Sequence, residues 1–439
     1  MRRFFDRFDK SYFLLVPVVL HSTWPWFSYR IRTIVPFIIF LIWLCVFKRV
    51  NAKFYGKYNL GMCFVWVIVW FCCYSYAQNI FALVDYSRFV HWFEYATTLT
   101  AISHFAIIYL SFKNLKIREV QFLTIVALIG ISLAGVGAVR GSMIEDFEGG
   151  RALTTSLERH FSDENLDKLI LAREIGSTGY GLTYAYAMFI PLSIFAFIEI
   201  KKFILKILML CVSISLFLIV KNSGLGTPVF VAFLGVCLWV ATKCGLRKGG
   251  LLGIGFIIVL CLICFSYNAK LFSFASPVPK MLGGFFEEGS SIQRRCESVA
   301  EALNGDRLTY ASERYKLQAK SIEVFLENPL FGVGIYTAPH PKSYLVGGHS
   351  CLLDRLGQQG IFGGIFYFGF LLSLYVFFER LNSCFGFSDR WNVNIILVMI
   401  CYVFACVANP SPTFPSILYY IPGVFLLAAK YGKQNKDLI

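Results

Sequence analysis

The sequence predicts an all-α integral membrane protein with about twelve transmembrane helices and a large, partly helical outer loop between spans nine and ten. Three observations carry that expectation. With 57% hydrophobic and 15% charged residues and a mean hydropathy of +0.63, the chain holds more apolar surface than a soluble core can enclose. Twelve mostly apolar runs are each long enough to cross roughly 30 Å of hydrocarbon. Finally, Lys and Arg alternate between the connections as the positive-inside rule requires.

In chain order the runs are 12–28, 33–47, 60–78, 92–112, 120–139, 179–200, 203–220, 225–242, 251–267, 356–378, 392–408 and 412–429. With the N-terminus inside, the inner connections hold Arg2, Arg3, Arg7 and Lys10, then Lys48 to Lys57, Lys113 to Arg118, Lys201, Lys202 and Lys206, Lys243 to Lys248, Arg380 and Arg390, and Lys430 to Lys436. The short outer connections hold only Arg30, Arg32, Arg88 and Lys221. A missed or invented span would invert this alternation partway along, so both termini are expected to be cytoplasmic. The resulting division is residues 1–267 for spans one to nine, with an outer loop at about 140–178; residues 268–348 for the large outer loop; and residues 349–439 for spans ten to twelve.

The formal charge of +15 implies no nucleic-acid partner, because more than half the basic residues simply flank spans. The first run has a basic start like a signal peptide but no small-residue cleavage site around His21 to Trp26, so it reads as a retained span. Most of the 14 cysteines fall within apolar runs and read as small core residues. Only Cys296 and Cys351 lie in or beside the large loop, and they read as unpaired. No Cys or His spacing suits a metal.

The large loop contains nine Lys and Arg, which topology does not explain. One helix can be read in it. Ser312 is a candidate N-cap, and Tyr315, Ala319, Ile322, Phe325 and Leu326 share one face that Gln318 interrupts. Asn328-Pro329 stops the helix, and Gly332 and Gly334 allow a tight bend back towards the membrane. Arg314, at the start of this helix and on the border of the apolar stripe, reads either as solvated or as a guanidinium fork for phosphate oxygens. His349 leads into span ten with Leu353 and Leu356 at i+4 and i+7. It reads either as a structural interfacial ring or as a base for a hydroxyl proton at neutral pH.

Arg314 to Gly334, then Gly348-His349-Ser350-Cys-Leu-Leu353 and Gly360-Ile-Phe-Gly363, resemble the signature of the O-antigen polymerase and O-antigen ligase superfamily. The resemblance implies a bacterial inner-membrane, GT-C-like glycosyltransferase working on the periplasmic face without a metal or other cofactor. Its donor would be a glycan on undecaprenyl diphosphate. A histidine at the place of His349 would activate the acceptor hydroxyl. Outer-loop arginines, Arg314 most clearly, would hold the departing diphosphate, and the anomeric centre would invert. A chain-length regulator is the kind of protein partner implied, though it leaves no trace in the sequence.

Three departures from the family pattern are visible. Ser350 stands where Asn is common, Gln358 where Glu is common, and Ser223 is followed by Gly224 where many members have Ser-Arg. Lys221 reads there either as the substitute cation, without the fork, or as an interfacial anchor. In the first outer loop Arg173, near Gly176-Ser-Thr-Gly179, is the best placed to meet a lipid diphosphate. The altered Ser-Arg element favours a polymerase over a ligase. A flippase is disfavoured because the spans hold few ionisable residues, Glu94 and Glu199 being almost the only ones. A structural scaffold would be indifferent to loss of His349.

Overall fold

The computed structural model describes residues 117–144, 170–172, 180–267, 273–286, 288–304, 310–333, 346–347, 350–384, 389–408 and 420–432. These are helical, with no strand among them. In chain order the helices are α1 (Ile117–Ser142), α2 (Tyr180–Glu199), α3 (Phe203–Asn222), α4 (Gly226–Lys243), α5 (Lys248–Tyr267), α6 (Pro277–Gly283), α7 (Ser291–Asn304), α8 (Tyr310–Glu327), α9 (Cys351–Cys384), α10 (Asp389–Ala408) and α11 (Tyr420–Tyr431).

The expected spans from 120–139 onward coincide with helices. Four of them, within α1, α3, α4 and α10, are long and apolar enough to cross a membrane. Thr183–Glu199 of α2 and Lys248–Ile263 of α5 are shorter apolar stretches. The first four expected spans lie outside the described residues, as does the start of 412–429.

α2 is the central helix. From Thr183 to Ser193 every side chain is buried, Tyr184, Tyr186 and Phe189 almost completely, which suits a helix that is apolar all round. Lipid offers no hydrophobic drive between helices, so close packing depends on small residues. A side chain at Gly135 of α1 would sit 1.9 Å from Ser215 Oγ of α3, and one at Gly235 of α4 would sit 3.0 Å from Pro191 of α2. Ser213 Oγ donates to Ser193 Oγ at 2.9 Å, joining α3 to α2. At the far side, Phe195, Trp391 and Phe425 meet edge to face with centroids 5.3 to 5.5 Å apart, joining α2, α10 and α11.

The polar groups separate the two ends of this bundle. One end is basic: Lys243 pairs with Glu199 at 3.4 Å, and Lys248 pairs with Glu379. Lys430 donates to Gln121 at 3.2 Å, and Lys202 lies 5.0 Å over the Tyr431 ring. These contacts bring together the ends of α1, α2, α3, α4, α5, α9 and α11 that the charge alternation assigns to one side. The opposite end carries α6, α7 and α8, which pack on one another and on the neighbouring ends of the bundle. Residues 277–327 thus hold three helices.

Two local expectations are corrected. α8 begins at Tyr310, so Ser312 lies inside its first turn instead of capping it, and Arg314 falls one turn in. Nothing in Tyr-Ala-Ser-Glu opposes a helix, and an acid at Glu313 suits its positive end. The face of α8 turned inward is also not the apolar stripe. Gln318, Ser321 and Val324 are buried, while Leu326 is 65% exposed. Beside a membrane the apolar side of a helix can meet lipid, which leaves the polar side for protein contacts.

Candidate functional site

The polar face of α8 meets the start of α9 in a closed hydrogen-bond cluster. Ser350 is the N-cap of α9: its hydroxyl oxygen accepts from the Leu353 N–H at 3.1 Å, and its carbonyl accepts from the Asp354 N–H at 2.8 Å. Asp354 reaches back, its Oδ2 accepting from the Ser350 N–H at 3.0 Å, which reproduces a capping box with the acid one residue later than usual. Its other oxygen, Oδ1, accepts from Ser321 Oγ of α8 at 2.6 Å. Ser321 Oγ in turn accepts from the Gly347 N–H at 3.1 Å.

The backbone on both sides of residues 348–349 is thus tied to one buried pair, Ser321 at 0% and Asp354 at 7% exposure. Gly347 approaches α8 so closely that a Cβ would lie 1.7 Å from the Leu317 carbonyl oxygen, so only glycine fits there. Two bonds fasten the cluster to α10: Ser350 Oγ donates to the Cys406 carbonyl at 3.4 Å, and Gln318 Nε2 donates to the Val407 carbonyl at 3.2 Å.

A second device lies ten residues along α9. Gly360 breaks that helix, with φ 63° and ψ −163°, a region open essentially to glycine alone. The N–H groups of Ile361 and Phe362 donate to the carbonyls of Pro329 and Leu330, at 2.7 and 3.3 Å. The Val333 N–H donates to the Gly357 carbonyl at 3.1 Å. Gly332, at φ 67°, makes the expected bend, and a Cβ there would lie 2.4 Å from the Gln358 carbonyl. The turn after α8 therefore caps the broken helix.

At the same end, the turn between α3 and α4 is built by Ser223, whose hydroxyl donates to the Val220 carbonyl at 2.7 Å and accepts from the Leu225 N–H at 3.2 Å. Gly224 adopts φ 66°. Arg295 of α7 lies across this turn: a side chain at Gly226 would meet its Cδ at 3.1 Å and its Nη1 at 3.8 Å. Cys401 Sγ sits 3.8 Å from the Val231 carbonyl, and α4 and α10 run in opposite directions. Five residues on along α10 and five back along α4, Cys406 and Gly226 come level, so Arg295 and Ser350 occupy the same end of the bundle.

Of the residues expected from sequence, His349 and Arg173 lie outside the described residues. Arg314 is in α8, one turn before Gln318 and two before Ser321. Lys221 lies in the last turn of α3 and is exposed. The Ser350 departure is compatible with the geometry: serine and asparagine are both strong N-caps, so Ser350 keeps the capping role. No disulfide joins Cys296 and Cys351, and Cys296 is buried against Leu282 and Ile292.

Sequence reasoning did not single out Asp354, Ser321 or Arg295. For Asp354 a signal existed, the Ser350-x-x-x-Asp354 spacing of a helix start. For Arg295 there was none, since its position depends on how α7 folds over α4.

No curated protein matches the chain at a significant level. Residues 207–368, from α3 into α9, match the family model described as O-antigen ligase. That segment includes the Ser321–Asp354 cluster, the glycine-broken helix and the arginine-covered α3–α4 turn, and over it the resemblance to the O-antigen polymerase and ligase superfamily holds.

Proposed function

We propose that this protein is an O-antigen polymerase, an inverting transferase that moves a glycan from undecaprenyl diphosphate to a lipid-linked repeat unit at the periplasmic face of the bacterial inner membrane. The observation that carries the reading is the family match over residues 207–368, together with the Ser321–Asp354 pair on either side of the His349 position.

In this reading His349 takes the proton of the acceptor hydroxyl while that oxygen attacks the anomeric carbon. The bond from that carbon to the diphosphate oxygen breaks, and the diphosphate leaves with the electron pair. Arg314, Arg173 and Lys221 are the proposed cations for the leaving group. Arg295, held across the α3–α4 turn, joins them with the planar fork that Lys221 lacks. Fixed cations in a partly dehydrated site stabilise developing charge far more than they would in water. Both termini are proposed to be cytoplasmic, on the side of the basic end.

A ligase that transfers the finished polymer to the lipid A core is the second reading, favoured by the description of the matched family. Polysaccharide ladders from a deletion strain complemented with wild type, His349→Ala or Arg314→Ala separate them. Long chains restored over a background of single repeats on the core mark a polymerase. A core without any repeat, with lipid-linked polymer accumulating, marks a ligase. Full activity in His349→Ala would remove the base from the mechanism.

A further inference from the structure

We propose that the turn at residues 328–333 is embedded in the bilayer, with Leu330 and Phe331 inserted among the lipid acyl chains beside α9. The proposal goes beyond the transfer reaction and rests on the membrane topology alone.

Four observations meet at this turn. First, α9 presents Ile361, Phe362, Ile365, Phe368 and Leu372, all 43 to 63% exposed, on its outward side, which in a bundle of apolar helices is the side that faces lipid. Second, Leu326, Leu330 and Phe331, 55 to 65% exposed, continue that surface, and the Phe331 ring stacks on Phe362 with centroids 5.2 Å apart. The face is thus continuous with an interface that lipid already covers.

The third observation is depth. The Lys248–Glu379 pair marks the basic end of α9. From Glu379 back to Ile361 the helix rises about 27 Å at 1.5 Å per residue, close to the roughly 30 Å thickness of the hydrocarbon layer. Ile361, Phe362 and the turn stacked on them therefore sit at the opposite hydrocarbon boundary.

The fourth is the backbone. Irregular chain is tolerated at that depth only where its polar groups are satisfied internally. Asn328-Pro-Leu-Phe-Gly-Val333 carries no charge, and Pro329 has no N–H. The carbonyls of Pro329 and Leu330 are taken by α9, the Val333 N–H by Gly357, and the Gly332 N–H by the Asn328 carbonyl. The break at Gly360 and the turn supply each other with partners that water would otherwise provide. The consequence is positional: the turn pins the C-terminal end of α8 to the membrane boundary and so holds Ser321 and the α9 N-terminus at the level where a lipid headgroup meets water.

The test uses the full-length protein in liposomes of phosphatidylethanolamine and phosphatidylglycerol doped with a phospholipid whose acyl chain carries a diazirine. After photolysis, peptide mapping locates the adducts. Adducts on Leu330 and Phe331, comparable to those on Ile365 and Leu372 of the same sample, support the embedding, and Phe331→Lys should lose the turn adducts while keeping those on α9. Adducts on Ile365 and Leu372 with none on residues 326–333, and hydroxyl-radical labelling of Leu330 and Phe331 from the water phase, would overturn it.

Discussion

Replacing Asp354 tests whether the start of α9 is fixed by the cluster or only touched by it. In the wild type its carboxylate accepts from Ser321 at 2.6 Å and from the Ser350 N–H at 3.0 Å, at 7% exposure. Hydrogen bonds to a charged partner contribute about 1.5–3 kcal/mol each, and a stranded buried donor costs a similar amount. Asp354→Ala strands two donors and removes an acid from a helix N-terminus, itself worth about 0.3–1 kcal/mol. A loss of about 3–5 kcal/mol is expected, read as a fall in melting temperature of the purified protein in detergent. Asp354→Asn keeps the size and one acceptor oxygen, so about half that loss is expected, with a folded protein that makes less polymer than wild type at matched expression. If Asp354→Ala melts with the wild type, or if Asp354→Asn gives a full ladder, the cluster does not position the segment around His349. A cycle with Ser321→Ala adds a second check: the two substitutions share one bond and should fall short of additivity.

Gly360→Ala forces a Cβ to 2.3 Å from the Leu330 carbonyl at a backbone angle reserved for glycine, and should cost about 3 kcal/mol or more; Gly249→Ala, with open space around it, is the neutral control in the same melting assay. Arg295→Ala should reduce polymer yield about tenfold or more, and Lys221→Ala, at an exposed position where water screens its charge, by less; wild-type yield in Arg295→Ala would remove Arg295 from the set of cations. Burial, and then the charge of Glu297, push the Cys296 thiol upward. The folded protein therefore holds that proton at pH values where the unfolded chain, with a thiol pKa of about 8.5, releases it, and the associated stability declines as pH rises above about 8.5. The melting-temperature gap between wild type and Cys296→Ala should narrow from neutral to alkaline pH; a constant gap would contradict the direction of the shift.

Hydropathy alone located α1 to α5, α9 and α10 because a run of about twenty apolar residues has few other solutions in a chain this poor in charge. The site was less legible. Reading α8 as amphipathic grouped Tyr315, Ala319, Ile322, Phe325 and Leu326 on one face, and treated Gln318 as an interruption. The structure uses Gln318 and Ser321 for the contact and leaves Leu326 exposed. The 3.6-residue period was right, but the rule that the apolar face goes inward assumes water outside. Arg295 was invisible for a different reason: its partner turn is about seventy residues earlier in the chain, and no local pattern encodes that meeting.

The glycines show what a motif can conceal. Asn328-Pro329 with Gly332, and Gly360 with Gly363, read in sequence as two separate signals, a helix stop with a bend and a stretch of the family signature. In the fold the first pair of signals and the break at Gly360 are one joint. Gly332 lets the turn approach Gln358, Gly360 lets α9 open towards Leu330, and the carbonyls of Pro329 and Leu330 satisfy the N–H groups that the break exposes. Neither half is stable without the other, since a broken helix at the hydrocarbon boundary leaves donors that lipid cannot accept. The joint also fixes the C-terminal end of α8 against α9, and so sets where the Ser321–Asp354 pair, which bridges the same two helices, can stand.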